Sequence, residues 1–192
     1  MPSELAKNYC TYAPADPLHA PYHNREYGFP VAEDHALFER LVLEINQAGL
    51  SWGLMLKKRA AFNAAFAGFD VATVAHYGAR DKARLLKDAG IIRNRLKIEA
   101  AIENAKRIEA IRERDGSFAD WIANRHPLRK EDWVKLFKKT FVFTGGEIVG
   151  EFLMSIGYLP GAHSADCPVG RKLQRHRPKP PWLRAAPDGG WK

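Results

Sequence analysis

The stretch DHALFERLVLEINQAGLSWGLMLKKRAAFNAAF, residues 34–66, decides the fold class. Its apolar residues recur every three or four positions, which places them on one face of an amphipathic helix. In the first half of the stretch they are Leu37, Phe38, Leu41, Val42 and Ile45. Asp34 is the predicted N-cap of this helix, and Ser51, after a glycine-containing turn, is the predicted N-cap of the next. The stretch therefore predicts two consecutive helices.

Helical spacing continues towards the C-terminus, where the last predicted helix ends at Ile156. Asp70 is the predicted N-cap of a short helix, Asn94 begins a long helix, and Ser117 begins another short one. No segment shows the convincing two-residue alternation that indicates a half-buried strand. We therefore predict an all-α fold.

Two segments depart from helical spacing. The segment before Asp34 is rich in proline, tyrosine and histidine, and from Arg171 onward basic residues alternate with prolines. Such composition is typical of irregular or flexible chain. We therefore expect one helical domain over residues 1–170 and a flexible, basic, proline-rich tail over residues 171–192, whose charge can follow DNA.

The overall charge favours a polyanionic partner. The chain has 192 residues, of which 46% are hydrophobic, as in an ordinary globular protein with a substantial core. Its 30 lysines and arginines exceed its 22 acidic residues and give a formal net charge of +8. Lysine and arginine side chains release counterions when they meet phosphates, so a nucleic acid fits this surplus. A basic surface that only maintains solubility fits it equally well.

The start of the chain has no apolar run behind a basic leader, so we expect no secretory signal. The most apolar stretch, residues 148–159, is too short to cross a bilayer and is interrupted by glycines and a glutamate. We therefore expect a cytoplasmic protein that does not associate with membranes, and a monomer.

Two pairs of residues are candidate metal ligands. His163 and Cys167 lie four positions apart, so a single turn can bring both to one ion, and Cys10 and His23 form a second pair. Two thiolates and two imidazoles complete a closed tetrahedral set, which suits a structural zinc. The alternative is two unrelated thiols and surface histidines. A zinc held by all four would tie the N-terminal and C-terminal segments together.

Glu44 lies at the edge of the apolar face of the first predicted helix. A carboxylate beside apolar groups suffers desolvation unless a positive or hydrogen-bonding group meets it. An exposed glutamate at a helix edge is the commoner arrangement, and the pattern alone favours it. Tyr12, Tyr22, Tyr27 and Trp52 either face the same place or belong to the core.

The stretch from Leu85 to Ile98 reads as a helix, a turn around Gly90 and a second helix. Arg93 and Arg95 follow the turn directly. Backbone N–H groups at the start of the second helix of such a hairpin can hold a DNA phosphate. Many helical hairpins contain a glycine, so this signal has little specificity.

Several blocks in order along the chain resemble the bacterial DNA-3-methyladenine glycosylase I family of helix-hairpin-helix glycosylases. They are YHNREYG at 22–28, QAGLSW at 47–52, KKR at 57–59, DAGIIR at 88–93 and GAH at 161–163, followed by Cys167. The resemblance runs from Cys10 to about Cys167. It implies a single helical domain in which one structural zinc per chain ties the two ends together.

The resemblance also implies roles for individual residues. The zinc ligands of the family fall on Cys10, His23, His163 and Cys167. Its base pocket, a glutamate with aromatic rings, maps to Glu44, Tyr22 and Trp52, with Tyr27 and Tyr12 beside it. Its DNA contacts map to the turn Gln47, Gly49 and Leu50, with Leu50 as a candidate wedge, and to the hairpin with Gly90, Arg93 and Arg95.

The activity implied is hydrolysis of the N-glycosidic bond of 3-methyladenine in alkylated double-stranded DNA, a step of base excision repair. Glu44 would be the catalytic carboxylate, without a lysine Schiff base. Two alternatives stand beside it: a zinc-stabilised protein that binds lesions without excising them, and a glycosylase of this fold for another damaged base.

Some positions depart from the usual family pattern. Tyr12 and Tyr27 stand where tryptophan is frequent, and the run TGGE at residues 144–147 places Glu147 and Glu151 on the following helix. If these acids face the pocket or the DNA, they alter the substrate range.

Overall fold

The computed structural model describes residues 9–184, and all of the regular secondary structure within this range is helical. The helices are α1 (Ala20–Arg25), α2 (Asp34–Gln47), α3 (Trp52–Ala65), α4 (Val71–Ala75), α5 (Ala79–Lys87), α6 (Arg95–Asp115), α7 (Phe118–Ala123), α8 (Lys130–Thr140), α9 (Gly146–Ser155) and α10 (Pro168–Arg175). Residues 9–12 are also helical, and 3-10 turns lie at Ala13–Ala15, Ala67–Phe69 and Pro181–Leu183. The predicted all-α class is confirmed.

Helix α2 lies at the centre of the fold, where it packs against α3, α4, α6, α7 and α9. The five residues of its predicted apolar face are all completely buried. Burying each such side chain stabilises the fold by about 1.5–3 kcal/mol. The apolar spacing in α2 therefore does place this helix in the core.

The predicted caps at Ser51 and Asp70 are present, and Asn94 and Ser117, predicted as the starts of helices, are N-caps as well. The side chains of Ser51, Asp70, Asn94 and Ser117 each accept a hydrogen bond from a backbone N–H in the first turn of the helix that follows. Each such cap stabilises its helix by about 1 kcal/mol. These polar residues therefore set where α3, α4, α6 and α7 begin.

The predicted cap at Asp34 is wrong, because Glu33 occupies the N-cap position and Asp34 is the first helical residue. The Asp34 carboxylate instead accepts a hydrogen bond from the backbone N–H of Ala119 (3.1 Å) and one from Nε of Arg112 (2.8 Å). A long-range contact has taken the place of a local one, and it joins the start of α2 to α6 and α7.

Aromatic side chains fill the core on the side formed by α7, α8 and α9. Phe118, Trp121, Trp133, Phe137 and Phe152 are all at most 1% exposed. The Phe118 and Phe152 rings stack with an interplanar angle of 8°. Buried residues from α2 to Leu159 form one continuous hydrophobic core, which holds α2 and α9 firmly where they face the candidate site.

The segment that follows Cys167 differs from its expected irregular form. The predicted boundary after residue 170 falls inside α10, where Leu173 is 3% exposed. Beyond the helix, the Trp182 N–H donates to the Gly157 carbonyl, and His176 packs edge-on against Phe29. A few apolar contacts thus hold residues 171–184 against the core. The rest of the expected tail, residues 185–192, lies outside the described residues.

Within the described part of the chain, no helix is both long enough and apolar enough to cross a lipid bilayer.

Candidate active site and metal centre

Cys10, His23, His163 and Cys167 come together although two of them lie at each end of the chain. Their ligand atoms all lie within 4.8 Å of one another. Sγ of Cys167 is 3.5 Å from Nδ1 of His163 and 3.8 Å from Nε2 of His23, and Sγ of Cys10 is 3.7 Å from Nδ1 of His163. A tetrahedral zinc with bonds of about 2.1–2.3 Å places its ligand atoms about 3.6 Å apart. The four side chains fit such an ion.

The other nitrogen of each histidine ring is also engaged. Nε2 of His163 lies 2.8 Å from the Tyr27 carbonyl oxygen, and Nδ1 of His23 lies 2.7 Å from Oδ1 of Asn24. Such contacts fix the ring orientation of metal-binding histidines. Burial lowers the pKa of His163 to about 4, so the ring is neutral at physiological pH, as metal ligation requires.

Three aromatic rings stand beside this cluster. Tyr22 lies on α1, Tyr27 follows that helix, and Trp52 is the first residue of α3. The Tyr22 ring centroid is 4.9 Å from that of Trp52 and 5.6 Å from that of Tyr27. Nε1 of Trp52 is buried and has no hydrogen-bond partner within residues 9–184. A buried donor of this kind suits a polar ligand that enters beside the ring.

Tyr12 lies apart from this group. It is 49% exposed and packs edge-on against Tyr9 and His19. Tyr9, which the sequence analysis did not single out, lies closer to the rings and the metal-ligand cluster. Its ring centroid is 5.6 Å from those of Tyr27 and His23. The structure thus brings together Tyr22, Tyr27 and Trp52 and leaves Tyr12 at the rim.

Glu44 projects from the central helix α2 and is only 4% exposed. The exposed position that its spacing favoured is therefore wrong. Its carboxylate receives no hydrogen bond from any of the described residues 9–184. Burial, and then the nearby charge of Glu151, raises the pKa of Glu44 to about 8, against the opposing influence of Arg40. Such a desolvated carboxylate lacks the donors and the positive charge that a ligand can bring.

The raised pKa of Glu44 makes stability depend on pH. From its ordinary value of 4.5 up to about 8, the folded protein holds a proton that the unfolded chain releases, so stability falls as pH rises. Below pH 4.5 Glu44 is protonated in both the folded and the unfolded protein, so the stability that is lost at higher pH is fully present. Glu44→Gln is therefore expected to melt at the same temperature as the wild type below pH 4.5 and at an increasingly higher temperature up to pH 8. Melting curves at several pH values check this, and a pH-independent difference would contradict it.

Arg40 is a site residue that sequence reasoning missed. It is 4% exposed. Its Nη1 donates a hydrogen bond to the Tyr22 hydroxyl at 2.7 Å, and its Nη2 donates one to Oε2 of Glu26 at 3.1 Å. Because the Tyr22 oxygen accepts from Arg40, its own proton remains free to be donated to a ligand. Glu26 is also held by Arg59 at 2.8 Å. A basic residue four positions before Glu44 on the same helix was the available signal.

Glu151, on α9, is a second acid beside the rings. The Tyr27 hydroxyl donates to its Oε2 at 3.1 Å. Its pKa is raised, chiefly by burial, although the Tyr27 hydrogen bond opposes the shift. Glu147, one turn earlier, has a side chain that is 94% exposed. Of the two acids that depart from the family pattern, only Glu151 contacts the aromatic group.

The turn between α2 and α3 projects into solvent. Leu50 is 42% exposed, Gln47 ends α2, and Gly49 has a φ of +79°, a conformation that favours glycine. Lys97 of α6 is 6% exposed, and its Nζ donates to the carbonyls of Asn46 (2.8 Å) and Ala48 (2.7 Å). This lysine therefore fixes the turn that carries Leu50.

Loss of the Lys97 ammonium leaves the two carbonyls of this turn without a donor. Lys97→Met is expected to destabilise the protein by about 1.5–3 kcal/mol. It should also slow reactions on duplex DNA more than it weakens binding of a free base. Chemical denaturation measures the loss of stability. A rate assay on duplex DNA and a binding assay with the free base measure the other two effects. Lys106→Met, an exposed position on the same helix, is the matched control. Unchanged stability of Lys97→Met would contradict the role given to Lys97.

The turn around Gly90, between α5 and α6, is also tightly built. The Asp88 carboxylate accepts from the Gly90 N–H at 2.7 Å, and Lys58 donates to the carbonyls of Ala89 and Gly90. A Cβ at Gly90 would lie 2.9 Å from that of Ala61, so only glycine fits here. The predicted DNA contacts Arg93 and Arg95 are exposed beyond this turn.

A second helical hairpin, which sequence reasoning did not single out, joins α8 to α9. Its turn carries Phe143, which is 40% exposed and has a φ of +60°. Lys138 and Gly145 line an open groove beside it. Phe143 and Leu50 are both exposed apolar side chains on turns next to helices that carry site residues.

The chain is similar in sequence to known proteins. Residues 12–134 match the family model described as methyladenine glycosylase. The chain is 42% identical over 113 residues to DNA-3-methyladenine glycosylase 1 of Escherichia coli (strain K12), a match that covers 59% of this chain and 60% of that enzyme. It is 34% identical over 178 residues to the DNA-3-methyladenine glycosylase of Haemophilus influenzae (strain ATCC 51907 / DSM 11121 / KW20 / Rd), which covers 83% of this chain and 96% of that one.

A solved structure extends the comparison to the fold. The crystal structure of a variant of 3-methyladenine DNA glycosylase I in complex with 3-methyladenine superposes with a TM-score of 0.75 at 31% identity, covering 84% of this chain and 97% of the other. The chain thus has the all-helical glycosylase fold. It belongs to the methyladenine glycosylase family, which confirms the resemblance found in the sequence.

Proposed function

We propose that this protein hydrolyses the N-glycosidic bond of 3-methyladenine in alkylated double-stranded DNA and releases the free base from an abasic site. The observation that carries the proposal is Glu44, a buried carboxyl group without a hydrogen-bond donor among the described residues, close enough to Tyr22 and Tyr27 for its charge to act on both. Such a group requires a ligand that supplies both N–H donors and positive charge. A methylated adenine supplies both.

The chemistry follows from the charge of the damaged base. The base must leave the helical stack to be reached, and methylation at N3 makes it a cation with a weakened glycosidic bond. Tyr22 and Trp52 stack on the cation, and Glu44 accepts hydrogen bonds from its edge. The bond between the base and the sugar then breaks with its electron pair passing to the base, which leaves neutral. Because the leaving group is already activated, selective binding contributes most of the catalysis.

The enzyme is monofunctional. A Schiff-base mechanism requires a free, deprotonated lysine at the site. The buried Lys97 donates to two backbone carbonyls, so we assign it to holding the turn and not to attack on the sugar. Water is the proposed nucleophile.

Contacts to DNA come from the turns around the site. Leu50 enters the duplex as a wedge, supported by Gln47 and Gly49, because it is an exposed apolar side chain on a turn held by Lys97. Gly90, Arg93 and Arg95 contact the phosphate backbone from the hairpin between α5 and α6. A net charge of +8 supports this binding. The protein acts as a monomer in the cytoplasm, where its DNA substrate lies.

Cys10, His23, His163 and Cys167 hold one zinc ion. Two thiolates and two imidazoles leave no open coordination position, so the metal is structural and takes no part in the reaction. The Tyr27 carbonyl contacts His163, so the metal centre also fixes one wall of the base pocket.

The products test the proposal. Purified protein incubated with methylated duplex DNA is expected to give strands that break only after alkali, because an abasic site without a lyase step is alkali-labile but intact. Undamaged duplex is the control. Absence of alkali-labile sites together with binding to the methylated duplex would favour a non-catalytic lesion binder. Breaks that appear without alkali would contradict the monofunctional mechanism.

A further inference from the structure

We infer that Glu151 is a second catalytic residue, which holds the attacking water and removes its proton. This inference rests on the proposed function, since it concerns the step that follows base recognition in the same pocket. The reaction needs such a group because Glu44 is already engaged by the base. Glu151 is the other acid whose side chain contacts the aromatic group, through the Tyr27 hydroxyl.

The two carboxylates lie at different depths. Glu44 is 4% exposed on the central helix, whereas Glu151 is partly exposed on α9, one turn from the fully accessible Glu147. A base that enters with its edge towards Glu44 leaves its sugar nearer the opening. Glu151 therefore lies on the side of the pocket where C1′ of the flipped nucleotide and the solvent meet.

The hydrogen bond from Tyr27 orients Glu151 for this task. Tyr27 donates to Oε2 at 3.1 Å, which stabilises the ionised carboxylate and leaves Oε1 without that partner. Oε1 can then accept a hydrogen bond from water. Burial raises the pKa of the carboxyl group, which makes it a stronger base than an exposed glutamate.

Gly150, next to Glu151, makes room for the side chain of Lys130. A Cβ at residue 150 would lie 2.8 Å from Cε and 3.0 Å from Nζ of Lys130, whose side chain crosses α9 at this point. Nζ of Lys130 is 3.6 Å from Oε1 of Glu147. The lysine thus pairs with the outer acid, and its positive charge also lowers the pKa of Glu151 against the larger, opposite effect of burial.

The step balances. The bond between C1′ and the base nitrogen breaks, and its electron pair neutralises the cationic base. A water oxygen forms the new bond to C1′, and its proton passes to Glu151, which later returns it to solvent. The Glu151 carboxylate also stabilises the positive charge that develops on the sugar as the base leaves.

Single-turnover excision from methylated duplex DNA, with protein in excess, tests the inference together with binding of free 3-methyladenine. Glu151→Gln is expected to lower the excision rate by about 10²-fold or more, as for loss of a general base. Its affinity for the free base and its melting temperature should stay close to wild type. Glu151→Asp keeps a carboxylate and should recover part of the rate. Glu147→Gln, on the same helix, should match the wild type.

The outcomes separate the two proposals. A wild-type protein that forms no abasic sites overturns the proposed function and this inference with it. Normal excision by Glu151→Gln overturns the inference alone. It is also overturned if excision and free-base affinity fall together, because Glu151 then serves base binding or the shape of the pocket. A loss of rate with unchanged free-base affinity supports it.

Discussion

Glu44→Gln is expected to bind free 3-methyladenine about 10- to 150-fold more weakly than the wild type. Hydrogen bonds to a charged group contribute about 1.5–3 kcal/mol, and each 1.4 kcal/mol is tenfold in affinity. Glutamine keeps the shape of the side chain but replaces one carboxylate oxygen, an acceptor for the N–H groups of the base, with an amide donor. Excision should fall at least as much, because the base is still cationic when it enters the pocket.

Titration of the protein with 3-methyladenine, followed by the fluorescence of the nearby Trp52, measures this change. Glu33→Gln is the matched control, since Glu33 is exposed at the start of the same helix. Equal affinity of Glu44→Gln and wild type would remove Glu44 from the base site. Glu44→Gln should be more heat-stable than the wild type at pH 8, so reduced binding by this variant would not reflect misfolding.

Removal of the metal is expected to produce the largest loss of stability. Structural zinc contributes about 10–16 kcal/mol in small zinc domains, while a whole domain folds with only about 5–15 kcal/mol. Even part of that loss would lower the melting temperature by more than about 10 °C in a protein of this size. Cys167→Ser and His163→Gln should both lose the metal and show this drop.

Metal analysis and thermal melting of the same samples check this expectation. His35→Gln, an exposed histidine outside the cluster, controls for the loss of an imidazole. Wild-type protein should contain about one zinc per chain. A metal-free protein that melts at the same temperature as the metal-bound form would show that Cys10 and Cys167 are ordinary free thiols.

The sequence predicted those parts of the structure that depend on neighbours along the chain. The apolar spacing in α2 and the caps at Ser51, Asp70, Asn94 and Ser117 follow from contacts within a few residues. The blocks of the family resemblance named residues that the fold brings together, the four candidate metal ligands and the rings of Tyr22, Tyr27 and Trp52. They did so because several short blocks in a fixed order carry far more specificity than any one alone.

Long-range contacts account for what the sequence did not predict. Asp34 is drawn away from its cap by α6 and α7, and Glu44 is buried by helices that come later in the chain. Arg40 joins the site through Tyr22, which lies 18 positions earlier. The contact between Tyr27 and Glu151 spans 124 positions. Periodicity within one helix contains no information about such partners, so these side chains could be assigned only from the folded structure.

The amino-acid composition of the C-terminal segment also failed to predict that residues 171–184 are folded against the core. Basic residues and prolines after Arg171 predicted flexible chain, yet Leu173 and Pro180 are buried against the core. A few buried apolar residues in a polar segment are enough to hold it in place when the core offers a surface for them. An average over composition hides such isolated anchors.

The decisive experiment identifies, by chromatography, the bases that the purified, zinc-loaded protein releases from methylated duplex DNA. The proposed recognition by Glu44, Tyr22 and Trp52 predicts release of 3-methyladenine while 7-methylguanine stays in the DNA. A folded protein that releases no base, or that releases both bases alike, would contradict it.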